Sequence, residues 1–308
     1  MLLTIWQTLR DGLKLTCETK NNNIMSDSKS PIVTIAIPIY NSEKYLRFAI
    51  QSVLNQSYSN WVLYLINDGS NDSSLSIMKE YESVDDRIVV INDNKNKGLI
   101  YRLNQSISMA STKYYARMDA DDIMCISRIE KQVKYLEDHP EVDVLGSSIM
   151  TIDNNNRVIG SGKVSGYVSA FVHPTVIGRT EWFKANLYSD WALRAEDFEL
   201  WTRTSSNSVF YSLDEPLLFY REFGVPMMSK TMMSYITLLK IYRNYRVYNK
   251  SISWYIKGSC ATLIKIMICY ILGTIGKMDL FVQMRRRVPL PNEKCLNDEY
   301  LKLCIEHN

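Results

Sequence analysis

Residues Val33 to Ile39 read Val-Thr-Ile-Ala-Ile-Pro-Ile, almost without a polar break. A short, bounded apolar run of this kind is the pattern of a strand buried on both faces. A second buried strand is read at Trp61 to Ile66, and a third and fourth strand at Arg87 to Ile91 and Tyr114 to Met118. Helical spacing fills the gaps: Leu46, Ala49, Ile50, Val53 and Leu54, then Met78 and Tyr81, then Ile100, Leu103, Ile107 and Ala110. Alternating strands and helices with short connections imply an α/β fold, a mostly parallel sheet covered on both faces. Ligands of such sheets bind beyond the carboxyl ends of the strands. The loops at 38–43, 67–72, 94–98 and 119–122 all follow strands, so they are expected on one rim. Pro38 has no N–H to give a ladder, so the first strand is expected to finish there, with Asn41 or Ser42 capping the next helix.

The 308 residues exceed what one hydrophobic core usually serves, so a large domain with appendages is expected. An apolar fraction of 46% excludes a disordered or collagen-like chain. Net charge is only +3, but residues 231–308 hold 12 Lys and Arg against 5 Asp and Glu, while the first 230 hold 24 against 28. An acidic body with a basic tail suits a body that handles metal or polar substrate and a tail near something anionic. The six cysteines (Cys17, Cys125, Cys260, Cys269, Cys295 and Cys304) show no zinc-type spacing and are read as reduced thiols of a cytoplasmic protein. The first apolar stretch lacks the basic flank of a secretory signal, and residues 1–30 are expected to be an extension outside the fold.

On the rim, Asp119, Asp121 and Asp122 stand just past a buried strand, and alternation sends Asp119 and Asp121 to one side. Carboxylates so placed suit Mg2+ or Mn2+, which complete their shells with substrate phosphates. Alone, such a pair is more often an acidic turn; the strand context favours the metal. Asp68, in a turn-forming Asp-Gly, is a carboxylate at a strand end able to accept a hydrogen bond from a nucleobase. Lys97 and Arg102 are expected to be exposed cations. No phosphate-binding P-loop, dinucleotide fingerprint or nucleophile elbow is present.

These residues resemble a family. Ile37 to Asn41 with Glu43, Ser52 to Tyr58, Ile66 to Asp72 and Ala116 to Asp122 look like successive blocks of a family 2 glycosyltransferase of GT-A fold. Arg128 with Gln132, His139 to Asp143, His173-Pro174, Glu196 to Trp201 and Tyr220-Arg221 continue the match in order. The resemblance implies a catalytic domain over 31–225, with a nucleotide-sugar half at 31–122 and an acceptor half at 123–225, and a basic helical region at 226–308. It implies that Pro38, Tyr40 and Glu43 line a nucleotide pocket and that Asp68 holds uracil. Asp119 and Ala120 would lie by the ribose and diphosphate, with Asp121 as ligand of Mn2+ or Mg2+. Asp197 would be the general base, and Glu196, Trp201 and His173 would line the acceptor side. The implied reaction moves a sugar with inversion from a UDP-sugar to a glycan or lipid-linked saccharide in polysaccharide biosynthesis. Ile126 stands where the family often has proline, and Asn67 where it often has aspartate. A nucleotidyltransferase, or a non-catalytic saccharide-binding or scaffold protein on the same fold, remains as an alternative.

From Gly258 to Gly276 the tail is largely apolar, interrupted by Lys265, and its uncharged part falls short of the roughly 20 residues of a spanning helix. Two readings stand side by side: a helix lying in a membrane interface, or one packed inside the protein. Arg285, Arg286 and Arg287 favour contact with the inner face of a membrane, and no nucleic-acid motif accompanies the charge.

Overall fold

The computed structural model describes residues 31–308 apart from 165, 168–170, 223–227, 245, 278–279, 281–290 and 307–308, and the backbone alone at 291–296. The extension at 1–30 and Arg285 to Arg287 therefore lie outside the described residues.

The first half alternates as the sequence predicts: β1 (Val33–Ile39), α1 (Glu43–Leu54), β2 (Trp61–Asn67), α2 (Ser74–Glu82), β3 (Ile88–Asn92), α3 (Leu99–Met109) and β4 (Tyr114–Arg117). The second half holds β5 (Ile123–Met124), α4 (Arg128–Asp138), β6 (Val144–Ile152), β7 (Val158–Gly162), β8 (Gly166–Tyr167), β9 (Ile177–Arg179), α5 (Thr180–Ala185), α6 (Glu196–Thr204) and β10 (Phe210–Arg221). One sheet runs through both, in the order β3-β2-β1-β4-β9-β6-β10-β5. Its first four strands are parallel, whereas β9 runs antiparallel to both β4 and β6. The parallel character thus belongs to the first half, and the second is mixed.

Alternation along β1 divides the core. Ile35 and Ile37 face Leu46 and Ile50 of α1, while Ala36 faces the layer of Leu103 and Ile107 of α3. All seven are fully buried, and burying each of the larger side chains stabilises the fold by roughly 1.5–3 kcal/mol.

Two local expectations need correction. β1 does not stop at Pro38: that residue pairs with Ile66, and the strand ends at Ile39. The carbonyl of Ala36 accepts from Met118 on the β4 side and that of Ile39 from Asp68 on the β2 side. Alternation therefore turns the Pro38 nitrogen toward β4, whose pairing with β1 ends at Ala36, so its missing N–H leaves no partner unsatisfied. The α1 cap also differs. The Ser42 hydroxyl donates to the Tyr40 carbonyl, and the first helical N–H groups bond instead to the next loop: Ser42 N to Ser74 Oγ (2.9 Å) and Glu43 N to Asp72 Oδ2 (3.0 Å). Loops 38–43 and 67–72 are stitched together in this way, as a shared rim requires.

Beyond β10 come α7 (Met228–Arg243), α8 (Ile252–Thr274) and α9 (Pro291–Ile305). Residues 31–308 form one compact unit, with Leu301 and Cys304 of α9 packing against Ile123, Cys125 and Phe219. The tail helix is not packed inside: of α8 only Thr262 and Cys269 are buried. At 23 residues α8 is also longer than the uncharged stretch that sequence alone picks out, and it is long and apolar enough to cross a membrane.

Candidate active site

Where β4 ends, the chain folds into a tight acidic turn, with Asp122 N bonded to the Asp119 carbonyl. Carboxylate oxygens of Asp119, Asp121 and Asp122 lie within 4.8 Å of one another. Burial raises the Asp121 carboxyl to about 7, with the neighbouring charge of Asp119 adding to the effect. Burial, then Asp119 and Asp121, also push the Asp122 carboxyl well above the usual carboxylate range. Asp122 is 1% exposed, and its Oδ2 has no hydrogen-bond partner among the described residues. An orphaned oxygen beside two more carboxylates is the environment a hard divalent cation relieves, so the donor set fits Mn2+ or Mg2+.

Arginines build this turn, and the sequence pattern gave them no such role. Arg221 donates from Nε to the Asp121 carbonyl (2.8 Å), from Nη1 to the Asp153 carbonyl (2.6 Å) and from Nη2 to Asn156 Oδ1 (2.6 Å). Its backbone N–H bonds Asp122 Oδ1 at 2.8 Å, and its guanidinium lies 4.1 Å from the Tyr45 ring centre. Arg117, almost wholly buried, pairs with Asp119. Arg128 donates to the Arg117 carbonyl, and Gln132 to that of Thr175, tying β4 to the turn His173–Thr175.

A cavity of about 910 Å3 opens beside the turn, lined among others by Asp119, Arg117, His173, Glu196, Asp197 and Lys97. Glu196 and Asp197 open α6, a placement that its N-terminal dipole favours. Burial nevertheless raises both carboxyls, Glu196 to about 7. Asp197 Oδ1 accepts the Phe198 N–H at 2.7 Å, which fixes that carboxylate. His173 Nε2 lies 2.8 Å from the Tyr188 hydroxyl, and its Nδ1 4.0 Å from Glu196. Burial, then Arg117, hold His173 well below the usual histidine range, so the imidazole is neutral at pH 7. Sequence reasoning missed Tyr188, because nothing in a lone tyrosine shows that it meets a histidine 15 residues away.

Other expected site residues sit elsewhere. Trp201 does not reach the cavity: it is fully buried against Phe171, Trp182 and Phe210, and a ring that large at an inward α6 position is needed to fill the core. Asp68 is 5% exposed, and its Oδ1 accepts from Lys97 N (2.8 Å), Gly98 N (3.2 Å) and Arg102 Nε (2.9 Å). Arg102 is accordingly no exposed cation but a fully buried one, paired also with Asp93 at 2.6 Å. Lys97 is exposed, as expected, and pairs with Asp93 at 2.7 Å. Nearby, Tyr40 is half exposed, Pro38 is partly buried and Ala120 is buried in the core. Glu43 Oε2 accepts the Ser73 N–H, tying it to the loop that carries Asp68.

A parallel first half continued into a mixed sheet, with an acidic turn at the junction and two carboxylates across one cavity, is the arrangement of a GT-A fold. The chain belongs to glycosyl transferase family 2, whose model matches residues 34–194. It is 29% identical over 245 residues to MJ1057, an uncharacterized glycosyltransferase of Methanocaldococcus jannaschii, covering 75% of this chain and 82% of that one. With the O-antigen biosynthesis glycosyltransferase WbnJ of Escherichia coli it shares 26% over 203 residues, or 62% of this chain and 79% of the relative. Its fold superposes on a crystal structure of S. aureus TarS in complex with UDP-GlcNAc, with a TM-score of 0.60 and 18% identity, over 75% of this chain and 71% of that one.

Proposed function

We propose that this glycosyltransferase moves a sugar from a UDP-sugar, with inversion, to a hydroxyl of a glycan or lipid-linked saccharide during polysaccharide assembly, at the cytoplasmic face of a membrane. The observation that carries the reading is that one cavity joins Asp119 of the acidic turn to Asp197 across from it. The UDP-GlcNAc complex of the TarS neighbour supports the donor class, and the O-antigen relative supports the pathway class.

In this reading Asp197 accepts the proton of the acceptor hydroxyl, whose oxygen attacks the anomeric carbon as the bond to the diphosphate breaks. Burial makes Asp197 a stronger base than a surface carboxylate, and such proton transfer contributes about 10²–10⁴-fold. Mn2+ or Mg2+ held by Asp121, with Asp119 and Asp122 beside it, would offset the charge developing on the leaving diphosphate. Asp68, with Pro38, Tyr40 and Glu43 on the adjoining loops, receives the nucleoside. Asp68 Oδ2 accepts only the Gly98 N–H (3.1 Å) among the described residues and keeps a lone pair for the uracil imide. Glu196 and neutral His173 line the acceptor side.

Calorimetric titration of UDP with and without Mn2+, on wild type and Asp121→Ala, tests the assignment. Metal-dependent binding lost in the variant is the expected result. Absence of UDP binding under every condition overturns the donor assignment.

A further inference from the structure

The helices α7 and α8 form an antiparallel hairpin. Gly258 stands opposite Tyr242 and Gly273 opposite Met228, where an added Cβ would come within 2.1 and 2.5 Å of those side chains. One side of α7 belongs to the catalytic domain: Thr237 Oγ1 donates to the Leu193 carbonyl at 2.8 Å, Ile241 packs with Ala195 and Tyr248, and Met233 and Ser234 line the catalytic cavity. Its other side takes Cys269, Ile266 and Leu272 of α8. The outer face of α8 is left to solvent. Ile256, Leu263, Met267 and Ile271, at helical spacing, are each at least 50% exposed, and only 11% of the most apolar part of the helix is buried.

Two observations name what covers this face. From 223 to 278 the chain has eight Lys and Arg and not one Asp or Glu. An apolar face within a purely cationic segment complements a bilayer of anionic lipid; a soluble protein partner would more often bring a mixed-charge rim. The lysines also sit where an interfacial helix puts them. Two residues are about 200° of turn, so Lys265, two from both Leu263 and Met267, points away from the apolar face, and Lys257 lies on its flank.

We propose that the outer face of α8 lies in the interface of an anionic membrane, parallel to its plane, and holds the catalytic cavity one helix away from the bilayer surface. Spanning is the poorer geometry. α8 runs beside α7 from Gly258 to Gly273, so inserting it lengthwise would draw α7, with Met233 and Ser234 of the cavity wall, into hydrocarbon. The part of this proposal that concerns the acceptor rests on the reading above: a lipid-linked saccharide bound at the same surface would present its hydroxyl on the side where Asp197 stands. The membrane contact itself does not depend on that reading.

Flotation of the full chain with vesicles tests it. Vesicles of phosphatidylcholine with about one-third phosphatidylglycerol should carry the protein, and phosphatidylcholine alone should carry much less. A Leu263→Glu, Met267→Glu double variant should lose at least about tenfold in vesicle partitioning, the scale expected for two apolar side chains withdrawn from lipid. Its UDP binding should stay at the wild-type value, since neither residue touches the cavity. Protein that resists alkaline extraction from the vesicles would overturn the interfacial orientation in favour of a spanning helix. Protein that ignores both vesicle types but forms dimers abolished by the same variant would overturn the membrane in favour of a second copy. UDP titration fails separately if the donor assignment is wrong, so the two failures are distinguishable.

Discussion

Replacing Asp121 with asparagine should stabilise the metal-free protein while removing the ligand proposed for the metal. The carboxyl stands at about 7 in the folded chain against an ordinary 3.8, first because it is buried and then because Asp119 lies beside it. An acid whose folded value is raised binds its proton more tightly when folded. The contribution of this one group is therefore fully present below about pH 4, declines as pH climbs toward 7, and is gone above that. At about 1.4 kcal/mol per pH unit, the interval sets an upper bound of about 4 kcal/mol. The amide has the same shape and cannot ionise. Asp121→Asn should thus gain up to that amount at pH 8, measured by urea denaturation with a chelator present, and nothing at pH 4. Adding Mn2+ should raise the wild-type midpoint and leave the variant's unmoved, because only wild type holds the ion. A variant no more stable than wild type at pH 8 without metal would refute the claim that the turn is electrostatically strained.

Asp197→Asn should lower kcat by about 10²–10⁴-fold while changing the affinity for UDP less than about twofold, checked by steady-state kinetics beside calorimetry. The raised carboxyl of Asp197 also implies that wild-type kcat falls about tenfold per pH unit once pH passes below it, and a rate unchanged down to pH 4 contradicts its role as base. Arg102→Met leaves buried Asp68 without its guanidinium and should cost about 3–5 kcal/mol in a denaturant melt. Trp201→Ala should cost a similar ~3–5 kcal/mol through an unfilled core, with activity following folded fraction and KM for the acceptor unaltered in the protein that remains folded.

The first half of the fold was legible because its central strand β1 is buried on both faces and reads as an apolar run, with helical spacing filling the gaps between the strands. Direction was harder. A buried strand reads alike in either orientation, so the antiparallel entry of β9 between β4 and β6 leaves no mark in the residues Ile177 to Arg179. Asp119, Glu196, Asp197 and His173 were found by motif, and all four line one cavity. Trp201 was misplaced because its neighbours in the motif line the cavity, while its own ring is fully buried against Phe171, Trp182 and Phe210. Arg102 was misjudged because a cation on a helix normally faces water, and its two carboxylate partners lie 34 and 9 residues away. The tail's character was visible in its charge, but exposure was not, since an apolar helix reads the same whether packed inside or left bare.

The arginines around the acidic turn explain why it can be both well ordered and short of positive charge. Arg221 spends its guanidinium on the carbonyls of Asp121 and Asp153 and on Asn156, and gives Asp122 only a backbone N–H. Arg128 likewise grips the Arg117 carbonyl and the Gln132 side chain. Among the described residues, of the three carboxylates only Asp119 receives a cation directly, from Arg117. Three buried guanidinium groups thus fix where the backbone goes, yet leave Asp121 and Asp122 uncompensated and their carboxyls raised. Had Arg221 paired with Asp121 instead, the metal-free protein would be more stable, but a divalent ion would first have to displace the guanidinium. The observed arrangement keeps the position of the carboxylates and the negative charge they hold under separate control, which would suit the proposed metal site, gaining and losing its ion with a diphosphate.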